Sequence, residues 1–436
     1  MTARYLAVKA LVRQEQNGFA NLVLDAELKK CTPPLEARDA AFAARVFYTV
    51  LEHQNLLDYK LAQFCKVPLR KLDAPVRAVL RAGLAQASYM QVPQAAAVNE
   101  AVKLAKAFGK TSAAGMVNAV LRRATALSIA PEQFPDPVER LHIYYSLSEP
   151  IARLLYAQYG AEALALAAAF ESETPTYIRI NPLRTEETSL TKSLEQDGCT
   201  VSPGPWAGCL AVQFPGGPAG TAAFRQGAFH VQGLASQYAA LCVGAQPGQR
   251  VLDLCAAPGG KSLTMAQQMQ NKGELLSAEL APNRVPLLEK AFARCGVTCA
   301  RAICSDASVF EPERGTFDRV LCDVPCTGLG VIGKKPDIRY KDLAGVENLY
   351  GVQQKILQNG ARYLAQNGRL VYSTCTVNRS ENEEQVKAFL AANPDFRLVP
   401  PQFALQGAQN TPNGTLLLPQ YAGTDGFFVA VLEKRK

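Results

Sequence analysis

The chain has 436 residues, 48% of them hydrophobic and 19% charged, with a formal net charge of +8. That is a normal globular composition, long enough for two or three hydrophobic cores. No apolar run approaches the roughly 18 to 20 residues that a membrane span requires, and the N-terminal MTARYLAVKALVRQEQ is an amphipathic helix pattern without a signal-peptide core, so a cytoplasmic protein is expected. The positive charge is concentrated at one end: residues 1 to 140 hold 19 Lys and Arg against 12 Asp and Glu, a net of +7, and the remainder a net of +1. Such asymmetry favours a polyanionic partner over a solvated basic surface only when other features agree.

In chain order, residues 1 to about 125 read as helices, over about 4 to 16, 36 to 52, 73 to 84, 94 to 108 and 113 to 125. In the third of these, Val76, Val79, Leu80 and Leu84 share a face, with Asp73 and Pro75 as a start signal. Three prolines between Pro131 and Pro137 break the pattern and mark the best linker. Helices resume from Glu149 to Phe170, Thr176 to Asn181 alternates like a strand, a helix follows near 186 to 197, and the Gly- and Pro-rich stretch from 203 to 220 reads as loop. From Arg250 onward strands alternate with helices, at 250 to 254, 274 to 279, 298 to 302, 318 to 322, 368 to 373 and 426 to 433. This rhythm predicts a doubly wound α/β sheet that binds ligands at the C-terminal edge of its strands.

Chemistry gathers at those strand ends. Val251 to Leu254 runs into Cys255, Ala256, Ala257, Pro258, Gly259, Gly260 and Lys261, small residues that let backbone approach a ligand before a helix starts near Ser262. The loop lacks the G-x-G-x-x-G spacing of a dinucleotide fingerprint, and its glycines alone would fit a structural turn. Acids follow successive strands at Glu279, Asp306 and Asp323, a series suited to the ribose and adenine of S-adenosylmethionine rather than to a phosphorylated cofactor. Two cysteines stand beyond strands, Cys326 in Asp323-Val-Pro-Cys-Thr-Gly328 and Cys375 in Ser373-Thr-Cys375. The twelve cysteines are scattered, lack zinc-site spacing, and read as reduced thiols; Cys255, Cys304 and Cys322 read as small buried hydrophobes. No metal is expected.

The motifs DLCAAPGGK, DVPCTGLG, STCTVNRSENEEQ and DGFFVAVLEK resemble, in this order and spacing, the RNA cytosine-5 methyltransferases of the Nol1/Nop2/Sun family. The fuller chain, with Tyr177 to Asn181 and Phe229 to Gln237, resembles the RsmB-like branch, which acts on small-subunit ribosomal RNA. The resemblance implies an all-helical NusB-like RNA-binding domain over 1–135, a small α+β linking subdomain over 145–229, and a Rossmann-like S-adenosylmethionine-dependent methyltransferase domain over 230–436. Ribosomal RNA is the implied partner, with no membrane and no metal, and no oligomeric state follows. The chain departs from the family pattern at Glu279, where Asp is commoner, at Val324, where Ala is commoner, and in the ending Gly328-Leu-Gly330.

The chemistry calls for two thiols. Carbon 5 of cytosine is too weak a nucleophile for a sulfonium methyl, so a thiolate first adds to carbon 6. A free thiol with pKa near 8.5 is only a few per cent ionised at neutral pH, and lowering it to about 7 makes half of it reactive. The resemblance implies Cys375 as nucleophile, Cys326 as the base for release and Asp323 at ring nitrogen 3. It implies cofactor contacts from Cys255, Ala256, Ala257, Pro258, Gly259, Gly260, Lys261, Glu279, Arg284, Asp306 and Asp323, and RNA contacts from Lys334, Lys335 and Arg339. A helix start near Ser380 with Glu383 in a capping box is expected to support the Cys375 strand end. DNA cytosine-5 methyltransferases, which attack with the Pro-Cys thiol, lack the STC thiol. The other rival is a noncatalytic RNA-binding or antitermination factor with a degenerate methyltransferase domain.

Overall fold

The structure is a computed structural model that describes residues 1–16, 19–172 and 174–434, so the last two residues of the expected third domain lie outside it. By its contacts the chain forms two compact units, Met1–Ala168 with Ile332–Leu343, and Ala169–Val331 with Ala344 onward. The division falls later than the proline-rich stretch, because helices Glu149–Tyr159 and Glu162–Ala169 group almost wholly with the N-terminal unit.

The N-terminal unit is built from amphipathic helices, among them Ala3–Gln14, Ala37–Glu52, Ala74–Tyr89, Gln94–Ala107 and Ala114–Ala124. Leu6, Phe47, Leu80 and Leu121 are fully buried in one core, each worth roughly 2 kcal/mol relative to exposure. Gly83 lets helices close together, since a Cβ there would meet Leu121 Cδ1 at 2.8 Å. Asp73 precedes helix 74–89 as expected, yet its side chain makes no cap and instead pairs with Lys110 at 2.7 Å.

The short segment Ile332–Leu343, which the chain reaches after the Cys326 loop, belongs to this helical unit. It carries the 3-10 turn Pro336–Tyr340. The Tyr340 hydroxyl donates to the Leu51 carbonyl at 2.6 Å and accepts from the Gln54 amide, while Arg339 Nη1 donates to the Tyr145 carbonyl at 2.7 Å. Arg339 is 1% exposed. This corrects its assignment as an RNA contact: a guanidinium buried this deeply presents nothing to a phosphate at the surface, whereas Lys334 and Lys335 are exposed.

The second unit holds two sheets. The smaller has the order β2-β3-β1-β4, with β1 Thr176–Ile180, β2 Thr200–Pro203, β3 Cys209–Gln213 and β4 Phe229–Val231. β3 lies within the stretch expected to be loop; it is paired on both sides and buries Cys209, Leu210 and Val212. The larger sheet contains β5 Arg250–Asp253, β6 Glu274–Glu279, β7 Ala300–Cys304, β8 Phe317–Asp323, β9 Leu364–Thr374, β10 Phe396–Val399, β11 Gln409–Thr411, β12 Gly414–Leu417 and β13 Phe427–Lys434. Its order is β11-β12-β13-β9-β8-β5-β6-β7, with β10 on β13; β9, β8, β5, β6 and β7 run parallel and the rest are antiparallel. The order reverses between β5 and β8, and a crevice at such a switch point is where an open α/β sheet binds ligands.

Replacing Arg339 with Ala should lower the stability of the helical unit by about 2 kcal/mol, the usual cost of losing a buried charged hydrogen bond, while Lys335→Ala stays within about 0.5 kcal/mol. Denaturant unfolding measures both. Unchanged stability in Arg339→Ala together with weakened RNA binding would restore Arg339 as an RNA contact.

Candidate active site

β5 ends at Asp253, and the chain turns through Leu254 to Gly259 into the helix Gly260–Gln268. The turn is pinned to its neighbours by Leu254 N to Leu321 O at 3.0 Å and Ala256 N to Ala278 O at 2.8 Å. Gly259 sits at φ +106°, a conformation side chains resist, which lets the helix begin directly beneath the loop. A cavity of about 210 Å³ opens here, lined by Val231, Gln232, Gly233, Ser236, Asp253, Cys255, Ala256, Ala257, Pro258, Gly260, Lys261 and Asp323.

Asp253 is 1% exposed. Its Oδ2 accepts from the Ser262 hydroxyl at 2.6 Å, and its Oδ1 has no hydrogen-bond partner among the described residues. Burial pushes its carboxyl up to about 7, against the Ser262 hydrogen bond. Lys261 Nζ lies 2.7 Å from Asp323 Oδ2 and 5.3 Å from the Phe427 ring centre. Burial disfavours the ammonium, but Asp323 and Cys375 outweigh it and hold Lys261 above its ordinary range. The Ser373 hydroxyl donates to Asp323 Oδ1 at 2.7 Å, so both carboxylate oxygens are engaged.

β8 and β9 are parallel neighbours in a register that sets Asp323 beside Ser373. The loops that leave their C-terminal ends therefore run together, with Val324 N to Ser373 O and Gly330 N to Cys375 O both at 3.0 Å. Cys326 and Cys375 meet with Sγ atoms 3.2 Å apart. The hydrogen bond to Cys375 and burial hold the Cys326 thiol well above its ordinary range.

The expected residues divide by position. Cys255, Ala256, Ala257, Pro258, Gly260, Lys261 and Asp323 line the cavity, and Gly259 forms its turn. Glu279 and Arg284 brace the loop: Glu279 accepts from Ala257 N at 3.3 Å, and Arg284 donates to Glu279 and to the Ala257 carbonyl. Asp306 is exposed at the end of β7, where its Oδ1 accepts from Ser308 N. Cys304 is exposed rather than buried, with its thiol 3.6 Å from the Leu280 carbonyl. Ser380 is no helix cap; Asn378 caps the 3-10 turn Arg379–Glu381, and the next helix starts at Glu383. Sequence reasoning passed over Asp253, Gln232, Gly233 and Ser236, although Asp253 stood inside the motif and Gln232-Gly233 directly before a helix. His230 is a packing histidine: burial lowers it to about 4, and its Nε2 lies 3.1 Å from Gln232 Oε1.

Residues 240–433 match the family model described as 16S rRNA methyltransferase RsmB/F, and residues 1–126 match the NusB family. The chain is 34% identical to the probable ribosomal RNA small subunit methyltransferase B of Bacillus subtilis, over 100% of this chain and 99% of that protein. It is 29% identical to ribosomal RNA small subunit methyltransferase B of Vibrio cholerae, over 100% and 98% respectively. The solved structure of a protein designated PH0851 superposes with a TM-score of 0.82 at 26% identity, covering 100% of this chain and 99% of that one.

Gly330 and Gly426 touch backbone to backbone, and a Cβ on Gly330 would lie 1.9 Å from the Gly426 carbonyl oxygen. Gly330→Ala must therefore push apart the loop that holds the Cys375 carbonyl, and a loss of about 3 kcal/mol is expected in denaturant unfolding. An unchanged midpoint would show that the loop gives way freely.

Proposed function

Because the chain belongs to the 16S rRNA methyltransferase RsmB/F family and is an S-adenosylmethionine-dependent rRNA methyltransferase, we propose that it methylates carbon 5 of a cytosine through a Cys375 adduct at carbon 6, with Cys326 acting in release. The observation that carries this reading is the pair of thiols 3.2 Å apart beyond two neighbouring parallel strands, one of which also ends in Asp323. A noncatalytic antitermination role gives way to the enzyme.

The residues around the cavity fit S-adenosylmethionine. A buried Asp253 oxygen without a partner suits an ammonium group, and the small side chains of Ala256, Ala257 and Gly260 leave the backbone approachable. The loop from Cys255 to Lys261, with Asp253 and Gln232, would hold the cofactor. When bound, S-adenosylmethionine supplies an electrophilic methyl group.

The chain's own residues do the rest. Cys375, as thiolate, adds to carbon 6 and moves electron density onto carbon 5. Lys261 and Ser373 donate to both oxygens of Asp323, so Asp323 acts as a carboxylate that accepts from ring nitrogen 3 once that atom is protonated. Adding the thiolate makes ring nitrogen 3 more basic, so it takes that proton from water and returns it on elimination, while Lys261 stays an ammonium beside Asp323. Cys326 stays protonated while its thiol donates to Cys375; when Cys375 is tied up in the adduct that hydrogen bond is gone, Cys326 gives its proton to water, and the resulting thiolate removes the carbon 5 proton. Elimination then expels Cys375. Carbon 6 is hidden inside a duplex, so the substrate cytosine is unstacked or flipped.

With unmodified small-subunit rRNA and S-adenosylmethionine, Cys326→Ala should accumulate a denaturant-resistant RNA adduct, and Cys375→Ala should form none and transfer no methyl. An adduct in Cys375→Ala but not in Cys326→Ala would exchange the two roles.

The helical unit is the proposed source of RNA affinity. Arg123 lies 4.5 Å over the Phe64 ring, which sets it and Arg122 beside the loop that bears Lys66, Arg70 and Lys71, all five exposed. Changing Lys66, Arg70 and Lys71 together to Gln should weaken RNA binding at every sequence and reduce its salt slope by about one for each phosphate no longer neutralised. An unaltered slope in a titration from low to high salt would place the RNA elsewhere.

A further inference from the structure

Glu381 is fully buried, yet it bears a carboxylate. Oε2 accepts from the Thr327 amide at 2.8 Å and from Gln353 Nε2 at 3.0 Å; Oε1 accepts from the Thr327 hydroxyl and from Asn378 Nδ2 at 3.0 Å. Four donors thus fill the positions around its two oxygens. They come from three segments of the chain: the loop after β8, the helix Val346–Tyr363, and the turn after β9. Two further links close the same knot. Gln353 Nε2 also donates to the Pro325 carbonyl at 2.9 Å, and the hydroxyls of Thr327 and Thr376 lie 2.8 Å apart.

The residues that this knot gathers from the two loops lie within three positions of a thiol. Pro325 and Thr327 flank Cys326; Thr376 follows Cys375, and Asn378 is three residues past it. We propose, on the reading of the two thiols given above, that Glu381 is a positioning residue that clasps the Cys326 loop to the Cys375 turn and so keeps both sulfurs at one carbon 5–carbon 6 edge. A buried carboxylate is a costly way to gain stability, because replacing buried charged groups by apolar ones of the same shape is often neutral. Its use is directional: an acceptor with two oxygens ties three segments at fixed angles, which a packed side chain does not. The charge has a second effect, since Glu381 adds to what disfavours a thiolate at Cys326.

The test uses the full chain and two independent readouts. The first is single-turnover methyl transfer to rRNA, with KM for RNA and Kd for S-adenosylmethionine measured alongside. The second needs no RNA: phenylarsine oxide is captured by two close thiols, forming two As–S bonds and releasing the oxide oxygen as water with both thiol protons. Wild type should take up one arsenical that Cys326→Ala abolishes. Glu381→Gln puts an N–H against one pair of donors; it should lose rapid arsenical capture and slow methyl transfer about 100-fold, the scale of a misplacement of roughly 1 Å, with cofactor Kd unchanged. Thr327→Val should do the same, Thr327→Ser should recover most of the loss, and Glu381→Gln combined with Thr327→Val should be no slower than either alone. Wild-type capture and transfer in a folded Glu381→Gln would overturn the proposal. If that variant does not fold, wild-type values in Thr327→Val overturn it equally. If wild type captures arsenical but Cys326→Ala accumulates no RNA adduct, the cytosine mechanism fails and the clasp is left standing.

Discussion

The parallel pairing of β8 with β9, next to β5 at the point where strand order reverses, is the constraint on which the site depends. It brings three strand ends to one edge: Asp253 from β5, Asp323 from β8, and Ser373 with Cys375 from β9. Side chains alternate faces along a strand, so a one-residue slip between β8 and β9 would turn Ser373 away from Asp323 and separate the loops that carry the thiols. The register is protected because both strands are interior and apolar, with Val320, Leu321, Leu370 and Val371 fully buried. Core packing here therefore also sets the geometry of the candidate site, and the two thiols do not meet without it.

Around this edge the polar groups fall into two kinds. Most are satisfied: Asn382 accepts from Thr374 and donates to the Thr376 carbonyl, Tyr372 donates to the Glu381 carbonyl, and Ser262 links Ser277 to Asp253. Fully paired networks of this kind hold loops rigid at the ends of strands, where backbone ladders stop. Asp253 Oδ1 is one of the buried oxygens without a partner among the described residues, on a residue that lines the cavity. A buried acceptor left unsatisfied costs free energy, and a cation bound to it recovers that cost.

Legibility followed the range of the interactions. Helices and parallel strands of the two units could be read from periodicity because each residue's burial repeats along its own element. Both thiols, Lys261 and Asp323 could be read because strand ends and glycine turns leave local marks. β3 could not: its Leu210 and Val212 alternate, but glycines and prolines on either side dominate the stretch, and only pairing with β1 and β2 makes it a strand. Arg339 failed for a related reason. Its neighbours Lys334 and Lys335 are solvated, so charge pattern suggested one basic turn, whereas burial of the guanidinium depends on a carbonyl at Tyr145, far away in sequence. Glu381 was visible only as one acid in the run Ser380 to Glu384, and its burial is wholly a product of the fold.

The proposed division between the thiols has a physical basis in what surrounds each. Negative charge at Cys326 is opposed by its hydrogen bond to Cys375, by burial and by Glu381. Cys375 instead lies within the field of Lys261, and the two charges favour one another. Under the roles proposed, Cys375 is the thiol that lies beside a charge favouring its thiolate. Once Cys375 carries a carbon, its charge is gone, and two of the influences that opposed a thiolate at Cys326, the hydrogen bond to Cys375 and its negative charge, go with it. On the proposed mechanism, attack and release are thus ordered by one hydrogen bond made and broken.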